Sequence, residues 1–211
     1  MRNLVNKELR LSINKFFFLL PFILGLLFFI PGWIYILAFM YFFWVTVPQI
    51  FSAYLNQKDY DFMTTLPVAK KDIVTSKAVS MYIIELLHIL AAVIFTLIHN
   101  ELYGSWNFFM DLNVAFFGVG ILMFGIFNIV FLPGYFKTAY FFGKPLIIAT
   151  AVTLVYGFIF EYGVIKFSFM QKLLEGNLGT QFWVLGVGVI VSVILSIYAI
   201  RISIKKYESI I

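Results

Sequence analysis

Two ionisable residues inside an apolar stretch are the ones in this sequence best suited to chemistry. Glu85 and His88 are three residues apart, so a helix places them on one face, where they could pair. An ionisable group at the centre of a membrane span costs about 2.5–3.5 kcal/mol, which makes the pair a candidate proton relay or polar pathway position. The alternative is an interhelical hydrogen bond, with Tyr82 or Asn128 as a partner, that only holds helices together.

Several other kinds of chemistry are excluded by residue content. The chain has no cysteine, so disulfides and thiolate chemistry are impossible. His88 and His99 are eleven residues apart and no HExxH motif occurs, which argues against zinc. The phosphate-binding pattern GxxxxGK[ST] is also absent. We therefore expect neither an enzyme nor a bound cofactor or metal in this chain.

The elements that must position these residues are membrane helices. Hydrophobic residues make up 63% of the 211 residues and charged residues only 12%, whereas soluble domains have about 25% charged residues. The net charge of +5 suits lipid head groups better than nucleic acid, because the aromatic residues lie within apolar runs. The length predicts a single all-α membrane domain with six helices. The predicted spans are 14–31, 33–55, 78–98, 106–131, 145–165 and 181–202, the first two separated by a turn at Pro31-Gly32-Trp33.

The first segment, residues 1–15, has amphipathic character. Val5, Leu9 and Ile13 recur at helical spacing, with Lys7 on another face. This pattern predicts an interfacial helix, and the alternative is a basic flank that only orients the first span.

Basic residues predict the orientation of the chain, because they collect in cytoplasmic loops. With both termini in the cytoplasm, the outer loops contain only Lys166 and Lys172. The inner segments then contain the other thirteen, namely Arg2, Lys7, Arg10, Lys15, Lys58, Lys70, Lys71, Lys77, Lys137, Lys144, Arg201, Lys205 and Lys206. The bias predicts six spans with cytoplasmic ends, and Lys77 is expected only to mark a membrane boundary.

Two features are expected at the outer face. Residues 166–180 contain an apolar face that includes Met170 and Leu173, which predicts a short amphipathic helix. Asp111 and Glu161 fall near the outer ends of their spans, where water should reach both. We expect them to be interfacial anchors or part of an exit vestibule rather than catalytic groups.

The longest polar stretch is the predicted cytoplasmic loop at residues 56–77, which includes KDYDFMTTLPVAKKDIVTSK. Its Leu66-Pro67 step favours two short helical pieces, at about 59–65 and 68–76. Apolar residues framed by charges are typical of a docking surface. The alternative is a solvated loop whose lysines only enforce topology.

The stretch QKDYDFMTTLPVAKKDIVTSKAVS resembles the signature of small bacterial ABC-2 type transporter permeases, in which an acidic and apolar segment leads into Leu-Pro and a basic pair. The chain is most similar within that family to permeases of phenol-soluble modulin exporters, which expel amphipathic helical peptides. It departs from the family at Ala69-Lys70, where serine-arginine is common. The resemblance implies a type V exporter-like half-transporter in the bacterial plasma membrane, with residues 1–15 as an elbow helix.

The resemblance also implies partners and site residues. A separate ABC ATPase, in two copies, would bind ATP and Mg²⁺, and a second permease, identical or related, would complete the path. The coupling loop would contact the ATPase through Asp59, Tyr60, Asp61, Phe62, Met63, Leu66, Pro67, Lys70, Lys71 and Asp72. Pathway candidates within the membrane are Glu85, His88, Asn128 and Glu161. The alternative function is a proton-coupled secondary transporter that uses Glu85 and His88.

Overall fold

The computed structural model describes residues 2–209, and within them every regular element is helical. Ten α-helices follow one another, some joined by a π-helical or 3₁₀ turn. They are α1 (Arg2–Lys7), α2 (Phe16–Gly25), α3 (Ile36–Tyr41), α4 (Val47–Asn56), α5 (Asp59–Thr65), α6 (Lys70–Tyr103), α7 (Val114–Lys137), α8 (Gly143–Lys166), α9 (Ser168–Leu174) and α10 (Leu178–Glu208).

Five helices of the described residues are long and apolar enough to cross a membrane, one of them formed by α3 and α4 together as Ile36–Asn56. The predicted first span, 14–31, is shorter than expected. Helix α2 and the 3₁₀ turn Leu26–Phe29 together cover only residues 16–29, whereas a crossing needs about 20 residues. The segments Arg2–Leu11 and Phe16–Phe29 meet at 72°, and a sixth span exists only if they are counted as one.

Two predicted boundaries were wrong. The coupling loop was expected to contain a separate helix at 68–76, but α6 is continuous from Lys70 to Tyr103. The fourth span was expected from residue 106, but α7 begins at Val114, where the Asn113 side chain accepts the hydrogen bond of the Phe116 N–H. The residues before it are apolar loop residues, which hydropathy does not distinguish from helix.

The core is formed by close helix contacts and aromatic packing. A Cβ on Gly118 of α7 would lie 2.7 Å from the Cα of Leu185 in α10, so the glycine permits the two backbones to approach. Phe43 and Phe127 stack with their ring centroids 4.0 Å apart. Because closer approach would cause steric overlap and separation would lose contacts, these helices form a rigid frame for the polar clusters described next.

Candidate functional site

Helix α5 is a short element that two backbone features separate from its neighbours. Lys58 precedes it with φ at +50°, a left-handed conformation that reverses the chain after α4. Leu66 ends it in an extended conformation before Pro67, as the residue preceding a proline favours. Within α5, Asp59 and Met63 are buried whereas Asp61 and Phe62 are exposed, so the helix has one inner and one outer face.

The inner face of α5 joins a buried ion network, which we define as Lys7, Glu8, Asp59 and Lys77. The Lys7 Nζ lies 2.6 Å from Asp59 Oδ1, and the Lys77 Nζ lies 2.6 Å from Asp59 Oδ2. Glu8 is 3.1 Å from Lys7 and 3.4 Å from Lys77. Asp59 thus bridges two ammonium groups, and the network ties the N-terminal segment to α5 and to the start of α6.

The charges of this network are strongly desolvated. The side chains of Glu8 and Lys77 have no solvent exposure and that of Asp59 has 4%. Although burial by itself opposes ionisation, the ammonium groups of Lys77 and Lys7 hold the pKa of Asp59 below its ordinary value of 3.8. The formal charges, two positive and two negative, cancel, so the network is neutral as a unit.

Tyrosine rings enclose the ion network. The Lys77 Nζ lies 3.4 Å from the ring centroid of Tyr54, a cation–π contact. Tyr60 of α5 contacts Tyr140 and Tyr207, with centroid distances of 5.3 and 6.2 Å. Because Tyr207 belongs to the last turns of α10, the two terminal segments and α5 lie at one end of the molecule.

The outer face of α5 is exposed and has an apolar centre. Phe62 is 55% exposed, and Asp61, Pro67 and Lys71, which are near it in the sequence, are also exposed. We call these four residues the coupling surface. Tyr60, Leu66, Lys70 and Asp72 are partly buried around it.

Two residues predicted to dock a partner are directed elsewhere. Asp59 and Met63 are buried on the inner face, with exposures of 4% and 1%, because Asp59 pairs with two lysines and Met63 packs in the core. Both residues were predicted to contact a partner ATPase, but their side chains contact groups inside the protein instead.

Sequence reasoning missed the role of Glu8 and was wrong about Lys77. Lys77 was expected only to mark a membrane boundary, but it is buried in the protein, where it pairs with Glu8 and Asp59. Glu8 did carry a signal, since it is the first acidic residue of the chain and lies one helical turn after the apolar Leu4. An acid on that face of a basic segment indicates a partner inside the protein.

Within the predicted spans, Glu85 and His88 have different partners. Asn128 of α7 donates its Nδ2–H to Glu85 Oε2 at 3.1 Å, so the interhelical contact considered from the sequence is present. The His88 Nδ1–H donates to the carbonyl of Ile84 at 2.8 Å, and its Nε2 lies 3.4 Å from the hydroxyl of Thr46. The pairing of Glu85 with His88 that was considered from the sequence does not occur, because each side chain forms a hydrogen bond with another group.

At the other end of α6 lies a second polar group, the distal carboxyl cluster, which we define as Asp111, Glu161 and Glu175. Glu161 Oε2 accepts the Met110 N–H at 2.9 Å, and Asp111 Oδ1 accepts the Asn107 N–H at 2.8 Å. Glu161 is only 6% exposed, so the expectation that water reaches it freely was wrong. Burial raises the pKa of Asp111, and burial together with the charge of Asp111 raises that of Glu175.

The polar groups of both clusters contact other groups within the protein. In residues 2–209 no group of three or more histidine, aspartate or glutamate side chains could hold a metal ion. The chemistry available is ion pairing and hydrogen bonding between helices, which stabilises discrete packing arrangements.

A comparison with protein families identifies the class of the chain. Residues 3–208 match the model of the family described as ABC-2 family transporter protein, and the chain belongs to that family. It is thus the membrane permease of an ABC transporter, and membership implies association with an ABC ATPase. No curated protein and no solved structure matches the chain significantly.

Proposed function

We propose that this chain is the permease subunit of an ATP-driven exporter of amphipathic or hydrophobic peptides, of the kind that expels phenol-soluble modulins. Two copies of a separate ATPase would bind ATP and Mg²⁺, and a second permease, identical or related, would complete the path. The complex would lie in the bacterial plasma membrane with both termini of this chain in the cytoplasm. Family membership and the meeting of the basic terminal segments with α5 support this assignment.

The coupling surface is the single observation that carries the proposal. Phe62 exposes an aromatic ring among charged residues, which is the usual composition of an interface anchor with a polar rim. Behind it, the ion network fixes α5 to α1 and α6. A displacement imposed on the coupling surface is therefore transmitted to a membrane helix, as one of two rigid states.

The exposed faces of α8 and α10 fit a membrane location. Both present rows of large apolar side chains, among them Phe158 and Ile190, which are 63% and 60% exposed. Exposure of such apolar faces to water is unfavourable, so lipid or the second permease is expected to cover them. The alternative of a proton-coupled transporter is not favoured, since Glu85 and His88 do not contact each other.

The proposal is tested by binding of the partner ATPase to the purified permease in detergent. We expect Phe62→Asp to weaken binding by at least about thirtyfold, because truncation of an anchor costs about 2 kcal/mol or more. Phe169→Asp is the matched control, since Phe169 is also exposed, at 71%, but lies on α9. Unchanged binding by Phe62→Asp, or equal loss in both variants, would refute the docking assignment.

A further inference from the structure

An apolar groove lies between α6, α7 and α10. Its volume is about 470 Å³, within the range of roughly 300–1,000 Å³ typical of ligand sites. Its walls are formed by residues such as Leu86, Ile89, Ile121, Phe124, Val193 and Ile197. A ligand that fits must therefore be apolar over most of its contact surface.

One carboxyl group borders this groove. Glu85 is 6% exposed, and its Oε2 accepts the hydrogen bond from Asn128. Its Oε1 has no hydrogen-bond partner among residues 2–209. No lysine, arginine or histidine lines the groove. An ionised carboxylate in such surroundings is costly without a cation, and the groove residues supply none.

Neighbouring contacts fix the position of this carboxyl. Asn128 also lies 3.4 Å from the hydroxyl of Ser196, and the Tyr82 hydroxyl donates to the Ser196 carbonyl at 3.0 Å. These bonds connect α6, α7 and α10 at the level of Glu85. The free oxygen is therefore part of a formed site.

Among residues 2–209, no lysine or arginine forms an ion pair with Glu85. Every lysine and arginine lies in one of five stretches near helix ends, at residues 2–15, 58–77, 137–144, 166–172 and 201–206. A ligand without a cation would therefore cover the groove with apolar groups and leave the carboxyl unpaired. Charge complementarity favours a ligand that brings its own cation.

We propose that the groove binds an amphipathic helical peptide, with the ammonium group of one peptide lysine pairing with Glu85 Oε1. The apolar face of the peptide contacts the groove walls. This inference rests on the proposed function and specifies the cargo as a peptide with a lysine beside its apolar face. Glu85 then acts in selection of cargo rather than in proton transfer.

The test uses two fluorescent synthetic amphipathic peptides that differ only in lysine or norleucine at one position beside the apolar face. Their affinities are measured with the permease in nanodiscs and corrected for binding to empty nanodiscs. We expect the lysine peptide to bind about tenfold more tightly, as one desolvated polar contact allows. Glu85→Gln should abolish this preference, and Glu85→Asp should restore part of it.

Glu161→Gln is the matched control. Glu161 is exposed to the same 6% and also borders an apolar cavity, of about 330 Å³, but its carboxyl accepts a backbone N–H bond. The lysine preference should therefore persist in Glu161→Gln. Normal elution and circular dichroism of each variant identify those that fold.

Three results would overturn the inference: equal affinity of the native chain for both peptides, no binding of either, or a preference that survives Glu85→Gln. Cross-linking of two copies through Ile197→Cys, which is specific because the chain has no cysteine, would also overturn it by assigning the groove to an interface. If the ATPase still docks through Phe62, only the groove assignment fails. Loss of that docking contradicts the proposed function instead.

Discussion

A polar cluster lies near each end of α6, and the two clusters differ in their balance of acidic and basic residues. At one end, the ion network pairs two lysines with two acids and is neutral. At the other, the distal carboxyl cluster contains three acids, which accept backbone N–H bonds. The first depends on charge balance and the second on dipoles, so the same perturbation should affect them differently.

The largest expected effect is loss of charge balance in the ion network. Lys77→Met leaves Glu8 and Asp59 with Lys7 alone, and removal of one partner from a buried ion network costs about 3–5 kcal/mol. Unfolding of the purified protein in detergent, followed by tryptophan fluorescence, measures the loss. Lys71→Met, at an exposed position, should leave the transition unchanged. Equal stability of the two variants would mean that the network contributes nothing.

A smaller effect is expected in the distal carboxyl cluster. Glu161→Gln retains an oxygen that can accept the Met110 N–H, so the free energy of unfolding should change by less than about 1 kcal/mol. The same unfolding assay measures it. A loss as large as that of Lys77→Met would show that the carboxylate charge itself is required there, and the contrast between the two clusters would disappear.

The smallest expected effect is a difference between the two clusters in how their contribution to stability depends on pH. Because the pKa of Asp59 is lowered in the folded protein, its stabilisation persists above its ordinary value of 3.8 and is lost only as pH falls below that value. Asp111 and Glu175 have raised pKa values, so protonation on acidification stabilises their folded form.

Hydrogen exchange at pH 7 and pH 5, expressed as protection factors, measures both regions. Protection of residues 104–113 should increase at pH 5, while protection of α5 should not change. A parallel change in both regions would contradict the assigned pKa directions.

Composition and charge were sufficient to predict an all-helical membrane protein, and the Pro31-Gly32 motif was sufficient to predict the turn between residues 30 and 33. Hydropathy did not locate the start of α7, because Trp106 and Phe108 are as apolar as helix residues although they lie in a loop. The ion network could not be predicted from local sequence patterns, because its contacts join residues that are 52 and 69 positions apart. Local sequence indicated the polarity of α5 but not which of its faces is buried.

The distance between the two clusters follows from α6 itself. Its 34 residues contain no glycine and no proline, the usual sites of kinks, and extend for about 51 Å at 1.5 Å per residue. Such a helix behaves as a stiff lever. A tilt of about 5° around its midpoint moves each end by about 2 Å, in opposite directions. Under the proposed function, a small push on α5 is thereby delivered, reversed in sense, to the loop at residues 104–113, which contains Asp111.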